Sequence, residues 1–209
     1  MYLDWVTVKG GLSRITDSAA SLLGHGVVHR NSPVTELREL AGGKIEVTSG
    51  GISPQTRVFD RVILAMPPSC IQNIRVRPTW SPLKERAILS IHEGPLYKMG
   101  LHFHTRFWEH IDEPCFGGQT QTDLRIRWIV YPSNDMGSKG SGCLIVYSGM
   151  TDALRWSWIP RAERVKLVLE DMDRFFSKQG VDIYKQFIDA FDVCWPSEGG
   201  GGNTMYLPG

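Results

Sequence analysis

Leu96-Tyr97-Lys98-Met99-Gly100-Leu101-His102-Phe103-His104 is the stretch from which the fold can be read. Met99, Leu101 and Phe103 alternate with Lys98, Gly100, His102 and His104, the period of a β-strand over residues 97–104 with one face buried and the other turned toward something polar. Further strands are expected at 125–131 and 143–148. The longest helix is expected from Pro160 to about Lys178, where Val165, Val168, Leu169, Met172 and Phe176 form a stripe at helical spacing. Before the opening stretch, Ser81-Pro82 starts a helix reaching about Leu89, with serine as cap and proline at the first helical position.

The first third of the chain carries its own signals. Leu12, Ile15, Ala19, Leu22 and Leu23 recur at helical spacing before Gly24, so residues 11–23 read as a short amphipathic helix. Strand-like runs follow at 27–30, 34–40 and 44–48, the last two joined through Ala41-Gly42-Gly43 as a hairpin. A fourth run, 58–65, ends in unbroken apolar residues before Pro67-Pro68, the pattern of a strand covered on both faces in a parallel sheet. Helices and strands alternate throughout, which gives an α+β or α/β class.

Composition narrows the function. The chain has 209 residues, 42% of them hydrophobic and 22% charged, enough for a packed core and far from the signature of disorder. Lysine and arginine (23) nearly cancel aspartate and glutamate (22), so no overall field exists to gather nucleic acid. There is no apolar run of membrane-spanning length. Met1-Tyr2-Leu3-Asp4-Trp5 lacks the charged start and apolar stretch of a signal peptide, and the expectation is a soluble chain, cytoplasmic or of unassigned compartment. Cys70, Cys115, Cys143 and Cys194 show no CxxC spacing, which argues against structural zinc. Cys143 and Cys194 lie in apolar runs and read as buried free thiols.

No motif announces chemistry alone: there is no GxGxxG after a strand, no GxxxxGK(S/T), no HExxH and no GxSxG. His102 and His104 lack a third metal ligand at fixed spacing, Asp112-Glu113 reads as a solvated loop, and Phe107, Trp108, Trp128, Trp156 and Trp158 read as core aromatics. By pattern, Lys98 is a lysine lying along a sheet rim. Four glycines at 199–202 read on composition as a flexible end; the alternative is a loop that lets backbone approach a flat ligand closely.

In order, several segments resemble the flavin-containing amine oxidases, and within them the L-amino-acid oxidases. Val8-Lys9-Gly10-Gly11-Leu12 resembles the family's glycine-glycine entry into a helix. VVHRNSPVTELRELAGGKIEVTSGG and FDRVILAMPPSCIQNIRVRPTWSPLKERAI resemble its three-stranded meander, closing strand and proline-leucine helix start. LYKMGLHFHTRFWE resembles its lysine-bearing strand, and GGQTQTDLRIRWIVYPS and GCLIVYSGMTDA the segments that follow in L-amino-acid oxidases. The order and spacing hold over roughly residues 8–209.

The resemblance implies a mixed-sheet substrate domain together with part of a Rossmann-type FAD domain: 1–67 in the FAD-binding part, 68–194 in the substrate domain, 195–209 a return segment. It implies FAD-dependent oxidation of an amine or L-amino acid, with release of imine or keto acid, ammonia and hydrogen peroxide. Position by position, Lys98 matches the lysine that holds a water near the flavin, Tyr147 a tyrosine that binds the substrate carboxylate, and Val34 a valine whose backbone meets the adenine end of FAD. Trp195 matches the tryptophan beside the flavin ring, and Gly202-Asn203 fall where the family lines its side-chain pocket. The family's phosphate-binding glycines lie outside this sequence, and without backbone donors at a helix N-terminus the pyrophosphate has no site. The expectation is therefore part of a longer or complemented oxidase, with a complementing chain as one source of the remaining segments, that does not retain FAD alone and is inactive in isolation. The alternative is an inactive homologue that binds a small molecule or a partner.

Overall fold

The computed structural model describes residues 8–198 and 201–205. The chain divides into two compact units, one holding the chain up to Leu64 together with Asn73–Pro82, the other Ala65–Gln72 and the chain from Leu83 onward.

The first unit opens with helix α1 (Ser13–Leu23), which stops where Gly24 turns to a φ of +80°. Its apolar residues Leu12, Ile15, Leu22 and Leu23 remain exposed. A meander follows: β1 (Val34–Glu39), β2 (Ile45–Ser49) and β3 (Gln55–Phe59) pair antiparallel in succession. The expected hairpin forms, and Leu40 N donates to Lys44 O across its turn. Strand β4 (Arg75–Arg77) joins β1 in parallel, giving the order β3-β2-β1-β4.

Two expectations for this unit are corrected. Residues 27–30 lie outside any strand, with Val27 and Val28 half exposed. Residues 61–65 lie outside any strand, and Ile63 is 89% exposed. An apolar run becomes a strand only when another strand completes its ladder, and among the described residues neither segment has one.

The second unit holds α2 (Pro68–Ile71), α3 (Pro82–Ser90), the short strand β5 (His92–Gly94) and the long strand β6 (Leu96–Phe103). After a 3₁₀ turn at Phe107–Glu109 come β7 (Gln119–Gln121), β8 (Trp128–Val130) and β9 (Gly142–Gly149). Helices α4 (Met150–Ser157), α5 (Arg161–Phe176) and α6 (Ile183–Gln186) precede β10 (Phe187–Cys194) and β11 (Asn203–Met205). Five strands form an antiparallel sheet in the order β10-β6-β9-β8-β7, and β11 pairs with β5.

One face of this sheet carries the core. Met99, Leu101 and Phe103 of β6 and Leu144 and Val146 of β9 are fully buried, as the alternation required. Val168, Leu169, Met172 and Phe176 of α5 pack into the same cluster, which the helical stripe anticipated. Buried charges are compensated: the Arg106 Nε donates to Glu109 Oε1 at 2.7 Å, and Arg161 and Arg164 flank Asp192.

Three sequence readings fail here. Cys143 is exposed while Cys194 is fully buried, because Cys143 occupies an odd position of a strand whose even positions face the core. Trp158, just past α4, is 84% exposed, whereas Phe107, Trp108 and Trp156 are buried as expected. Trp128 is half-buried and stands outside the core cluster, although its neighbour Ile129 lies within it. Hydrophobicity alone does not say which face a residue takes.

Candidate functional site

The face of the sheet opposite the core brings most of the expected site residues together. Directly opposite residues on neighbouring strands share a face. The pairs Val193 with Lys98, Lys98 with Tyr147, Tyr147 with Trp128, and Trp128 with Gln121 therefore run as one row across all five strands. The Lys98 ammonium lies 5.2 Å from the Tyr147 ring centroid and 5.9 Å from that of Trp195. Trp195 reaches this position because the chain leaves β10 in a turn, anchored where Trp195 N donates to Leu96 O at 3.1 Å. Tyr147 stacks on Trp128 with centroids 5.1 Å apart and planes 13° from parallel.

Lys98 is exposed, and among the described residues it enters no ion pair. It is a cation held by two aromatic faces, with its three N–H donors left for something else. Lys98 is thus an exposed lysine whose ammonium stands beside the Tyr147 and Trp195 rings.

A cleft of about 540 Å³ opens beside this row, lined by Tyr147, Trp128, Arg127, Asp152, Met150 and Asn203 among others. Arg127 grips Asp152 with two hydrogen bonds, Nε to Oδ2 at 2.8 Å and Nη2 to Oδ1 at 3.1 Å. This bond holds the Asp152 carboxyl below the usual carboxylate range. Arg155 adds a second cation at 3.1 Å, so the group around Asp152 carries one net positive charge.

Asn203 enters the cleft because β11 lies on β5, with Asn203 opposite Gly94. Gly202 makes that approach possible, since a Cβ there would sit 2.2 Å from Leu96 Cβ and 2.8 Å from Gly94 O. Residues 203–205 pair with β5, and at Gly202 the close approach is to Leu96 and Gly94 of the same chain; positions 199 and 200 lie outside the described residues. Val34 belongs to the other unit, where it opens β1 opposite Ser49, just before the register slips at Glu36.

Sequence reasoning missed Trp128 as a site residue, and with it Arg127, Met150 and Asp152. Trp128 had a signal: it sits two residues from Val130 in a strand whose Ile129 faces the core, so its ring had to face outward. Arg127 and Asp152 meet across 25 residues, and no local pattern reports that.

The sequence profile described as flavin containing amine oxidoreductase matches residues 3–200. The chain belongs to this family. Its relatives include YobN of Bacillus subtilis, 28% identical over 83% of this chain and 37% of its own length. An L-amino-acid oxidase of Neurospora crassa is 26% identical over 98% of this chain and 32% of its own, and one of Protobothrops flavoviridis 28% identical over 91% and 36%. The chain thus spans about a third of the length of these relatives. Among solved structures, cyclohexylamine oxidase from Brevibacterium oxydans superposes with a TM-score of 0.76 at 17% identity, covering 96% of this chain and 42% of that one. Putrescine oxidase bound to putrescine gives 0.71 at 19%, covering 93% and 41%. The fold is that of the solved amine oxidases, and within the family the chain is similar to L-amino-acid oxidases. Among the described residues no helix is long and apolar enough to cross a membrane, and no group of three or more metal-ligating side chains occurs.

Proposed function

We propose that this chain supplies the substrate-binding part, with a portion of the FAD-binding part, of an oxidase that deaminates L-amino acids. The observation that carries this reading is the row Lys98–Tyr147–Trp128, which sets a free ammonium and a phenol beside a cleft of small-molecule size.

The residues present fit one edge of a flavin. Trp195 offers a half-buried indole, and Lys98 offers uncommitted donors beside it. FAD, when bound, supplies the two-electron acceptor that takes hydride from the carbon bearing the amine. The Tyr147 hydroxyl donates to the substrate carboxylate and fixes its orientation. Lys98 holds a water by donating to its oxygen, while Trp195 and Trp128 narrow the water-accessible space around it. Asn203 and Met150 border the room left for the side chain. The imine then takes up water to give keto acid and ammonia, and dioxygen accepts the electrons and two protons as hydrogen peroxide.

The test is peroxide release by the flavin-loaded enzyme. A charge-assisted hydrogen bond is worth roughly 1.5–3 kcal/mol. Tyr147→Phe should therefore raise KM for L-amino acids about ten- to a hundredfold, leaving amines without a carboxylate nearly unchanged. Equal losses for both substrate types would assign Tyr147 to packing, and a flavin-loaded enzyme releasing no peroxide from any L-amino acid would overturn the activity.

A further inference from the structure

The geometry points to Trp128 as the residue that positions Tyr147, and so as a determinant of carboxylate recognition; this rests on Tyr147 being the carboxylate anchor. On an open sheet face a tyrosine has two common side-chain rotamers, and its hydroxyl sits at the far end of the lever. For that hydroxyl to donate to one place, the ring must be held. Here it is held from both sides of its own strand: Trp128 of β8 stacks on it nearly parallel, and the Lys98 ammonium of β6 lies over it.

Trp128 is suited to this role and to no evident core role. Its indole is half-buried and lies outside the hydrophobic cluster that holds Ile129. The backbone leading into it is tightly determined. Arg127 has a φ of +55°, a left-handed conformation that costs a residue with a side chain. The turn is locked by Thr122 N donating to Arg127 O at 2.7 Å and Arg127 N to Leu124 O at 3.2 Å. The Arg127 guanidinium is fastened to Asp152 at the start of α4. Met150, which follows β9, has the same unusual φ of +55°, with its N–H donating to Pro95 O at 2.8 Å. Both residues line the cleft that Tyr147 enters, and only two other non-glycine residues with positive φ occur among those described. Strain held by surrounding structure gathers where a side chain must be aimed, and here it brackets the Trp128–Tyr147 pair on two strands.

The test compares Trp128→Leu, which removes the ring, with Trp128→Phe, which keeps an aromatic face, in the flavin-loaded enzyme. Trp128→Leu should raise KM for L-amino acids about three- to thirtyfold with a smaller change in kcat, leave amines lacking a carboxylate little affected, and be rescued largely by Trp128→Phe. On a Tyr147→Phe background, Trp128→Leu should add almost nothing, since the hydroxyl it aims is already gone. A readout independent of turnover is the ¹⁹F resonance of 3-fluorotyrosine at position 147, assigned by its loss in Tyr147→Phe. It should move in Trp128→Leu and stay close to its original position in Trp128→Phe. Equal KM rises for amino acids and amines, additive effects with Tyr147→Phe, or a resonance that Trp128→Leu leaves unmoved would each overturn the proposal. If the unmodified enzyme oxidises no L-amino acid, the functional reading falls, and the fluorine resonance still decides whether Trp128 holds the ring.

Discussion

Replacing Gly202 by alanine tests how the cleft is assembled. The added Cβ would lie 2.2 Å from Leu96 Cβ, 2.8 Å from Gly94 O and 3.0 Å from Leu96 N, where ordinary contact begins near 3.4 Å. None of these atoms is the free end of a flexible side chain: two are backbone, and the third belongs to a buried residue at the start of β6. The segment entering β11 must therefore move by about 1 Å. Overpacking of this kind costs about 1–3 kcal/mol, and at about 3 °C per kcal/mol for a chain of this size Tm should fall by about 3–9 °C. The same movement draws Asn203 out of its place in the cleft, and a misplacement near 1 Å can cost up to about a hundredfold in reactivity. A KM increase of about tenfold is the expected outcome. Thermal unfolding and initial-rate kinetics of Gly202→Ala, set beside Gly51→Ala, measure both effects. Gly51 has nothing within 4 Å of its would-be Cβ and no left-handed backbone, so its substitution should be silent. A Gly202→Ala enzyme indistinguishable from Gly51→Ala would refute the close approach of β11 to β5 and β6.

Two further outcomes follow from burial and charge. The Arg106 guanidinium and the Gly137 N–H hold the Glu109 carboxyl below the usual range. Its stabilisation is thus complete above the unfolded value near 4.3 and is lost as pH falls through the lower folded value. Tm of the wild type should drop across that acid window, and Glu109→Gln should lower Tm at neutral pH and flatten the acid dependence; parallel Tm–pH curves would contradict this. Among the thiols, the exposed Cys143 should react with iodoacetamide in the native state, faster as pH rises because the thiolate is the nucleophile, with the rise displaced upward by the desolvation that pushes its thiol up. Cys194, fully buried, should react only after unfolding, and peptide mapping that finds Cys194 labelled first would show the sheet face to be misassigned.

What the sequence made legible depends on the range of the physics involved. The alternation in β6 and the stripe in α5 are local periodicities, and they fix which face packs inward without any other element being known. The apolar run at 61–65 shows the limit, since periodicity predicts a strand's faces but not the existence of the strand beside it. Trp158 and Cys143 show a second limit, because a hydrophobic residue in an apolar neighbourhood can fall on the outward parity of its strand or beyond the end of its helix. Within the site, Lys98, Tyr147 and Asn203 were reached through resemblance. Trp128 and the Arg127–Asp152 clasp required the register of β8 on β9, which turn chemistry and side-chain pairing set at a distance.

Strand β6 places Tyr97 and Lys98 side by side, one wholly buried and stacked on Trp156, the other out among the site's aromatic rings. Eight cross-strand pairs tie this strand to β9. Sliding it by a single residue would drive an ammonium into the hydrocarbon interior and push a phenol out, a costly exchange on both sides. The strand is in that sense self-proofreading: the same parity that fills the core also aims the lysine. An insertion or deletion of one residue between Pro95 and Lys98 would thus scramble interior and site together, whereas an inward-facing position such as Leu101 can exchange for another apolar residue of like volume without turning Lys98 away from Tyr147 and Trp195.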